Sequence, residues 1–344
     1  MSSASQPVTA RLELGLSRLL ASVPPSLERR LAGKPIEVDG QVLHPEAQAA
    51  LRSQQRFGLD RLTSDPIVDR VRTARNTRLS HGRTFPVGRV EERRVPGAVG
   101  DLDARLYVPD GAGSAGPLQV YYHGGGFVVG DLDTHDQVCR LICAQAETRV
   151  LSVAYRLAPE HPFPAAVEDA LAAYLHVSED PGRFGAAPGA IAVGGDSAGG
   201  NLALNVSLLA RDSDAAPPAY QALIYPACEF GRKWPSYELF GHGFYLTEER
   251  MDHWIGTYLD GHRPDDPRAS PLLAQLAELP PTRFLSVGFD PLRDEGRELV
   301  ERLREAGNEV ELTVAPDIFH GFVNAAGVSR RAREVLTDFA HTLN

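Results

Sequence analysis

Cysteine is sparse: Cys139, Cys143 and Cys228 are the only three in 344 residues. That small, odd number excludes a disulfide-built scaffold and points to reduced thiols in a cytoplasmic setting. Cys139 and Cys143 lie four apart on an expected helix, but no His or acidic cluster completes a metal site around them, so they read as small buried residues. Lysine is rarer still, present only as Lys34 and Lys233. No dense Lys/Arg stretch exists, and the formal net charge is −10. Nucleic-acid binding, which is driven by neutralising phosphates, is therefore not expected. No apolar run approaches the roughly 20 residues of a membrane span. Residues 1–10 are polar, and the stretch 12–20 carries Glu13 and Arg18, so it reads as an amphipathic helix and not as a signal sequence. What remains is an ordinary globular composition, 43% hydrophobic, sufficient for one large domain or two smaller ones.

From about Asp101 onward, strand-like and helix-like segments alternate. Apolar, β-rich runs occupy 103–108, 118–122, 150–155, 190–193, 219–225, 283–288 and 309–314, and helical patterns occupy 134–146, 165–178, 198–210, 293–306 and 329–343. Alternation of this kind requires crossover connections, hence an α/β fold with a mostly parallel sheet and helices on both faces. Two segments break the rhythm. Residues 1–85 are helical in pattern, near 12–20, 45–57 and 65–80. Residues 229–262 carry Trp234, Tyr237, Phe240, Phe244 and Tyr245, then a helix over 247–259 with Trp254. An aromatic insertion after a strand's C-terminal end lies on the face where α/β sheets bind ligands. We expect these two segments to form a helical cap over an α/β domain made of 86–228 and 263–344. The alternative, an independent module over 1–85, is weakened by its few apolar residues.

The most informative feature follows the run Ala190-Ile191-Ala192-Val193-Gly194. There Gly195-Asp196-Ser197-Ala198-Gly199 links an expected strand to an expected helix, the layout of a nucleophile elbow. Such a turn lifts the serine hydroxyl above the strand end and offers the Ala198 amide to a developing oxyanion. A serine needs a base to take its proton, and the base needs an orienting carboxylate, in chain order Ser, Asp/Glu, His. Of the histidines after Ser197, His242, His253 and His262 fall in the insertion, and His341 is on the last helix. His320 follows the final strand, in the loop 315–322. Asp290 stands at the tip of the strand before it. Its alternative role is to cap the helix that begins near Pro291, and Asp294 is the alternative acid. His123-Gly124-Gly125-Gly126-Phe127 follows the strand at 118–122. Its glycines let the backbone aim amides at an acyl oxygen. A phosphate loop is the competing reading, but the Gly-Lys-Ser/Thr ending and the dinucleotide spacing are both missing. His123 itself reads as a structural hydrogen-bonder.

Taken together, these motifs resemble the hormone-sensitive-lipase-like carboxylesterases of the α/β-hydrolase superfamily, the bacterial family IV. The likeness rests on His123-Gly124-Gly125-Gly126, Gly130-Asp131-Leu132-Asp133-Thr134-His135-Asp136, Tyr155-Arg156-Leu157-Ala158-Pro159-Glu160, Phe163-Pro164-Ala165-Ala166, Gly194-Gly195-Asp196-Ser197-Ala198-Gly199-Gly200, Asp290-Pro291-Leu292-Arg293-Asp294 and His320-Gly321-Phe322. It implies Ser197, Asp290 and His320 as a triad, with Gly124, Gly125, Gly126 and Ala198 supplying the oxyanion hole. It also implies a small-molecule ester of short to medium acyl length as substrate, no metal or cofactor, and a homodimer among the options. Phe127, Phe244, Tyr245, Leu246 and Phe322 are candidates to line the pocket. Amide or carbamate hydrolysis stays open, because leaving-group choice depends on pocket shape. So does a ligand-binding role on a retired hydrolase scaffold, though three filled triad positions argue against it.

Overall fold

The computed structural model describes residues 25–57, 63, 65–79 and 81–344. The polar 1–10 and the amphipathic stretch expected at 12–20 lie outside the described residues. The described part opens with α1 (Pro25–Ala32), a short hairpin of β1 (Glu37–Val38) and β2 (Gln41–Val42), α2 (Pro45–Phe57) and α3 (Pro66–Leu79). The alternating part follows: β3 (Arg89–Pro96), β4 (Asp101–Val108), β5 (Gly116–Tyr122), α4 (Asp136–Gln145), β6 (Arg149–Val153), α5 (Ala165–Glu179), β7 (Ala186–Asp196) and α6 (Ala198–Arg211). It continues with β8 (Gln221–Ile224), α7 (Pro235–Phe240), α8 (Glu248–Leu259), β9 (Thr282–Phe289), α9 (Arg293–Glu305), β10 (Val310–Phe319) and α10 (Arg330–His341).

Strands β3 to β10 form one sheet in the order β10-β9-β8-β7-β5-β6-β4-β3. The pairs from β10 through β6 are parallel, while β4 is antiparallel to both β6 and β3. The expected α/β architecture holds. Strand alternation divides the apolar side chains between two cores. Leu118, Val120 and Tyr122 of β5 join α5, α6 and α9 on one face, in a core with Val167, Leu202 and Leu299. Tyr121 of β5 and Val287 of β9 point the other way, toward α4 and α10, with Ile142 and Phe339.

Three differences from the sequence reading have physical causes. β3 was not expected, because its residues RVEERRVP show no apolar alternation and only Val95 is buried. It is an edge strand, and charge on an edge discourages pairing with other chains. Strand β10 runs to Phe319 instead of ending near Val314, with its pairing to β9 interrupted between Ala315 and Phe319. His320 therefore stands directly on a strand end and not within a loop. The insertion also holds a second helix, α7, too short to show a period.

Candidate active site

The elbow is built by close approach. β7 ends at Asp196, α6 begins at Ala198, and Ser197 between them adopts φ 55° and ψ −117°. A left-handed, non-glycine residue of this kind stores on the order of 1–3 kcal/mol that the surroundings must offset. A Cβ at Gly199 would overlap the Tyr122 carbonyl oxygen of the neighbouring strand, so only glycine lets α6 start this close to the sheet. The Ser197 amide donates to the Ile224 carbonyl at 2.9 Å, which fixes the turn against β8.

The three side chains singled out by chain order meet at the C-terminal ends of β7, β9 and β10. The Ser197 hydroxyl lies 2.9 Å from His320 Nε2, and His320 Nδ1 lies 2.8 Å from Asp290 Oδ2. The carboxylate can only accept, so Nδ1 carries the proton and Nε2 is left as the acceptor for the serine hydroxyl. Asp290 and His320 are both buried. Asp290 resolves its two candidate roles by dividing its oxygens: Oδ1 accepts from the Leu292 amide at 2.8 Å while Oδ2 holds His320. Asp294 points elsewhere, onto Arg293 at 2.8 Å. Tyr225 packs its ring 4.3 Å from that of His320 and limits its rotation.

The glycine loop needs a correction. The Gly124 amide donates to Asp196 Oδ1 at 2.9 Å, so it is committed and is not free for an oxyanion. Gly125 and Gly126, at φ 124° and 60°, turn the chain so that their amides meet no protein acceptor among the described residues. Ala198 opens α6, where the first amides have no intrahelical partner. These three amides are the available donors. Asp196 was not assigned a role from the sequence, although it stands inside the elbow motif. Its Oδ1 also accepts the Tyr121 hydroxyl at 2.7 Å and lies 3.3 Å from His135 Nε2. Burial would raise its pKa, but His135, Tyr121 and the Gly124 amide outweigh burial and hold it below the usual carboxylate range. Asp196 thus pins the first glycine and leaves the next two exposed to the pocket. Asp196→Ala strands two buried donors, costing about 1–3 kcal/mol each. Thermal melting and kcat should both fall in that variant. Asp196→Asn, which keeps an acceptor at the same place, should retain most of the stability.

His123 acts as a strut. Its Nδ1 lies 2.8 Å from the Gly124 carbonyl oxygen, and its ring stacks on Tyr155 at 4.4 Å. Burial, with the His135 imidazole alongside, pushes its pKa from 6.5 down to about 4. Between those values the unfolded chain takes up a proton that the folded one refuses. This contribution is fully present above about pH 6.5 and is lost as the pH falls toward 4, about 3 kcal/mol in all. Urea unfolding across that window should show the loss, with a flatter slope for His123→Gln. Glu295 also escaped the sequence reading. Its Oε1 accepts the Cys228 amide at 2.7 Å, and burial pushes its carboxyl well above the usual range.

A pocket opens over Ser197. Of the five expected lining residues, Phe127, Tyr245 and Leu246 border it. Phe244 and Phe322 do not. Phe244 packs against Phe240 and Phe289 at 5.7 and 5.3 Å, and Phe322 is buried against Tyr225. Phe322 fills the core beneath the site and Phe244 packs half-buried against the same core, because aromatic identity alone does not say to which side a ring turns. Met251, Trp254 and Ile255 of α8 and Thr73 and Thr77 of α3 also border the pocket. The described residues hold no cluster of His, Cys, Asp or Glu suited to a metal ion. They also contain no helix long and apolar enough to cross a membrane.

A strand-elbow-helix serine, a strand-end histidine and a strand-end aspartate on a parallel sheet define a hydrolase of the α/β type. Residues 119–324 match the family of the alpha/beta hydrolase fold, and the chain belongs to that family. It is 45% identical over 321 residues to the carboxylic ester hydrolase LipN of Mycobacterium tuberculosis (strain ATCC 25618 / H37Rv), covering 89% of this chain and 84% of LipN. An ethyl acetate hydrolase of Pseudomonas putida is 37% identical, covering 68% of this chain and 76% of its own length. Among solved structures, the hyperthermophilic esterase of the archaeon Pyrobaculum calidifontis superposes with a TM-score of 0.80 at 36% identity, covering 86% of this chain and 96% of that one.

Proposed function

We propose that the chain is a serine carboxylesterase acting on short- to medium-chain esters, with Ser197 as nucleophile, His320 as base and acid, and Asp290 as orienting carboxylate. The observation that carries this reading is the unbroken relay Asp290–His320–Ser197, at 2.8 and 2.9 Å, opening into a pocket whose lining is mostly apolar. The ester-hydrolysing relatives support it. His320 takes the serine proton as Oγ attacks the ester carbonyl. The amides of Gly125, Gly126 and Ala198 receive the oxyanion, each such donor being worth ~3–4 kcal/mol in comparable sites. His320 then returns the proton to the departing alkoxide, and water cleaves the acyl-enzyme by the same path. In this reading the described part of 1–85 and the insertion 229–262 serve as the cap, since α3 and α8 both border the pocket. A cytoplasmic setting is supported by three buried, unpaired cysteines.

The test is hydrolysis of p-nitrophenyl esters from acetate to palmitate. The expected result is a maximum at short or medium acyl length. A maximum at the longest chains would shift the reading to a lipase, and silence at every length from folded protein would end it.

A further inference from the structure

The pocket above Ser197 has two unlike walls. One is apolar and continuous: Met251 and Leu292 belong to one buried cluster, with Phe230 and Ile255 packed on it. The other is polar. Thr73 and Thr77 sit one turn apart on α3 and both border the pocket, as do Tyr245 and Asn324. Helical hydroxyls commonly bend back to the carbonyl four residues earlier. Thr257 does so onto His253 at 2.8 Å and Ser207 onto Ala203 at 3.2 Å. Thr73 and Thr77 do not, and neither hydroxyl has a hydrogen-bond partner among the described residues. Asn324 Oδ1 is shielded from solvent and also lacks a partner. An orphan of this kind is unfavourable, and a bound hydroxyl donating to it would relieve that cost.

Asn324 and Tyr245 of the polar wall stand on the histidine's side of the site; α3, with Thr73 and Thr77, is anchored beside the glycine loop, Arg70 Nε donating to the Val128 carbonyl at 2.7 Å, and reaches that side through the chain beyond its end. Asn324 lies in the turn after His320, its amide donating to the Gly321 carbonyl at 3.3 Å. The Tyr245 ring rests on Gly321: a Cβ there would lie 2.6 Å from Tyr245 Cε1. The chain just beyond α3 joins the same region, with the Arg83 amide donating to the Gly327 carbonyl at 3.1 Å. The leaving oxygen must face His320 Nε2, which protonates it, so the alcohol portion of an ester runs along this wall.

Resting on the esterase reading, we infer that the preferred substrates are esters whose alcohol portion carries a further hydroxyl group, of the glycol or glycerol monoester type, with the acyl chain on the apolar wall. A site that hydrogen-bonds a substrate hydroxyl rejects the analogue that lacks it, because its own polar groups are left unpaired.

The experiment uses isosteric pairs. 2-Hydroxyethyl butanoate is compared with propyl butanoate, and ethyl 3-hydroxypropanoate with ethyl butanoate, each rate being normalised to alkaline hydrolysis. The expected result is a kcat/KM about tenfold higher for the hydroxyethyl ester than for the propyl ester, the worth of roughly one net hydrogen bond. No hydroxyl preference is expected in the acyl pair. Thr77→Val, which preserves shape, and Asn324→Leu should each lower the first ratio toward one. Equal or faster hydrolysis of the propyl ester overturns the proposal, and so does a hydroxyl preference confined to the acyl pair. A ratio unmoved in both variants overturns the assignment to this wall. Failure to hydrolyse any of the four esters overturns the esterase reading itself, and this proposal with it.

Discussion

Ser197→Ala loses about 10⁶-fold in kcat and keeps its fold. The size follows from the geometry, since the hydroxyl 2.9 Å from His320 is the sole nucleophile on the relay. What survives is the catalysis that bound water receives from the Gly125, Gly126 and Ala198 amides. The fold is expected to survive because the substitution removes one oxygen from a surface facing the pocket. The left-handed backbone at this position is imposed by the Ile224 and Tyr122 contacts and does not depend on the hydroxyl. Single-turnover kinetics with a p-nitrophenyl ester, beside a melting curve, checks both halves. A burst of nitrophenol from the variant would mean that the nucleophile is elsewhere.

Asp290→Asn should lower kcat by about 10⁴-fold, while Asp294→Asn should leave it within a few-fold of the parent. The reason is tautomeric. Asparagine keeps its oxygen for the Leu292 amide, so its NH₂ faces His320 Nδ1. A ring nitrogen that meets a donor must accept, which moves the proton to Nε2 and leaves nothing to take the serine proton. The structure around Asp290 is otherwise unchanged, so the variant should melt near the parent. Asp294 meets Arg293 and Arg297 at 2.8 and 3.6 Å, and its loss removes only these side contacts. Loss of activity in Asp294→Asn with an active Asp290→Asn would reverse the assignment of the acid.

The relay was legible because each member sits where a parallel strand stops, and apolar runs mark strand ends well. Chain order narrowed the candidates to residues after Ser197, and the place at a strand end favoured Asp290 over Asp294 and His320 over four other histidines. The glycine loop was legible only in outline. Three consecutive glycines announce a backbone that approaches something closely, but not which amide is already spent. The commitment of Gly124 depends on Asp196, 72 positions away. The pocket was the least legible part. Phe244 and Tyr245 are adjacent and both half-buried against the same core, yet only Tyr245 borders the cavity, and no pattern of residue types records that choice. Thr73 and Thr77 looked like ordinary helical residues, because nothing in a sequence reveals a hydroxyl that fails to bend back. β3 was hidden for the opposite reason: its charges suit an edge and conceal the strand.

The order of the strands has a bearing on how the protein acquires its activity. Ser197 and His320 are separated by 123 positions and directly follow β7 and β10, with β8 and β9 between those strands. An intermediate with β4 to β8 in place already owns the elbow and the glycine loop, yet it has neither acid nor base. Non-local pairings of this length are slow to form, since the chain entropy is lost before the contacts are gained. Turnover therefore begins only when the outermost strand docks. In a refolding reaction, or during synthesis, the appearance of product clocks the final stage of sheet assembly, where helix content or core fluorescence would report earlier events.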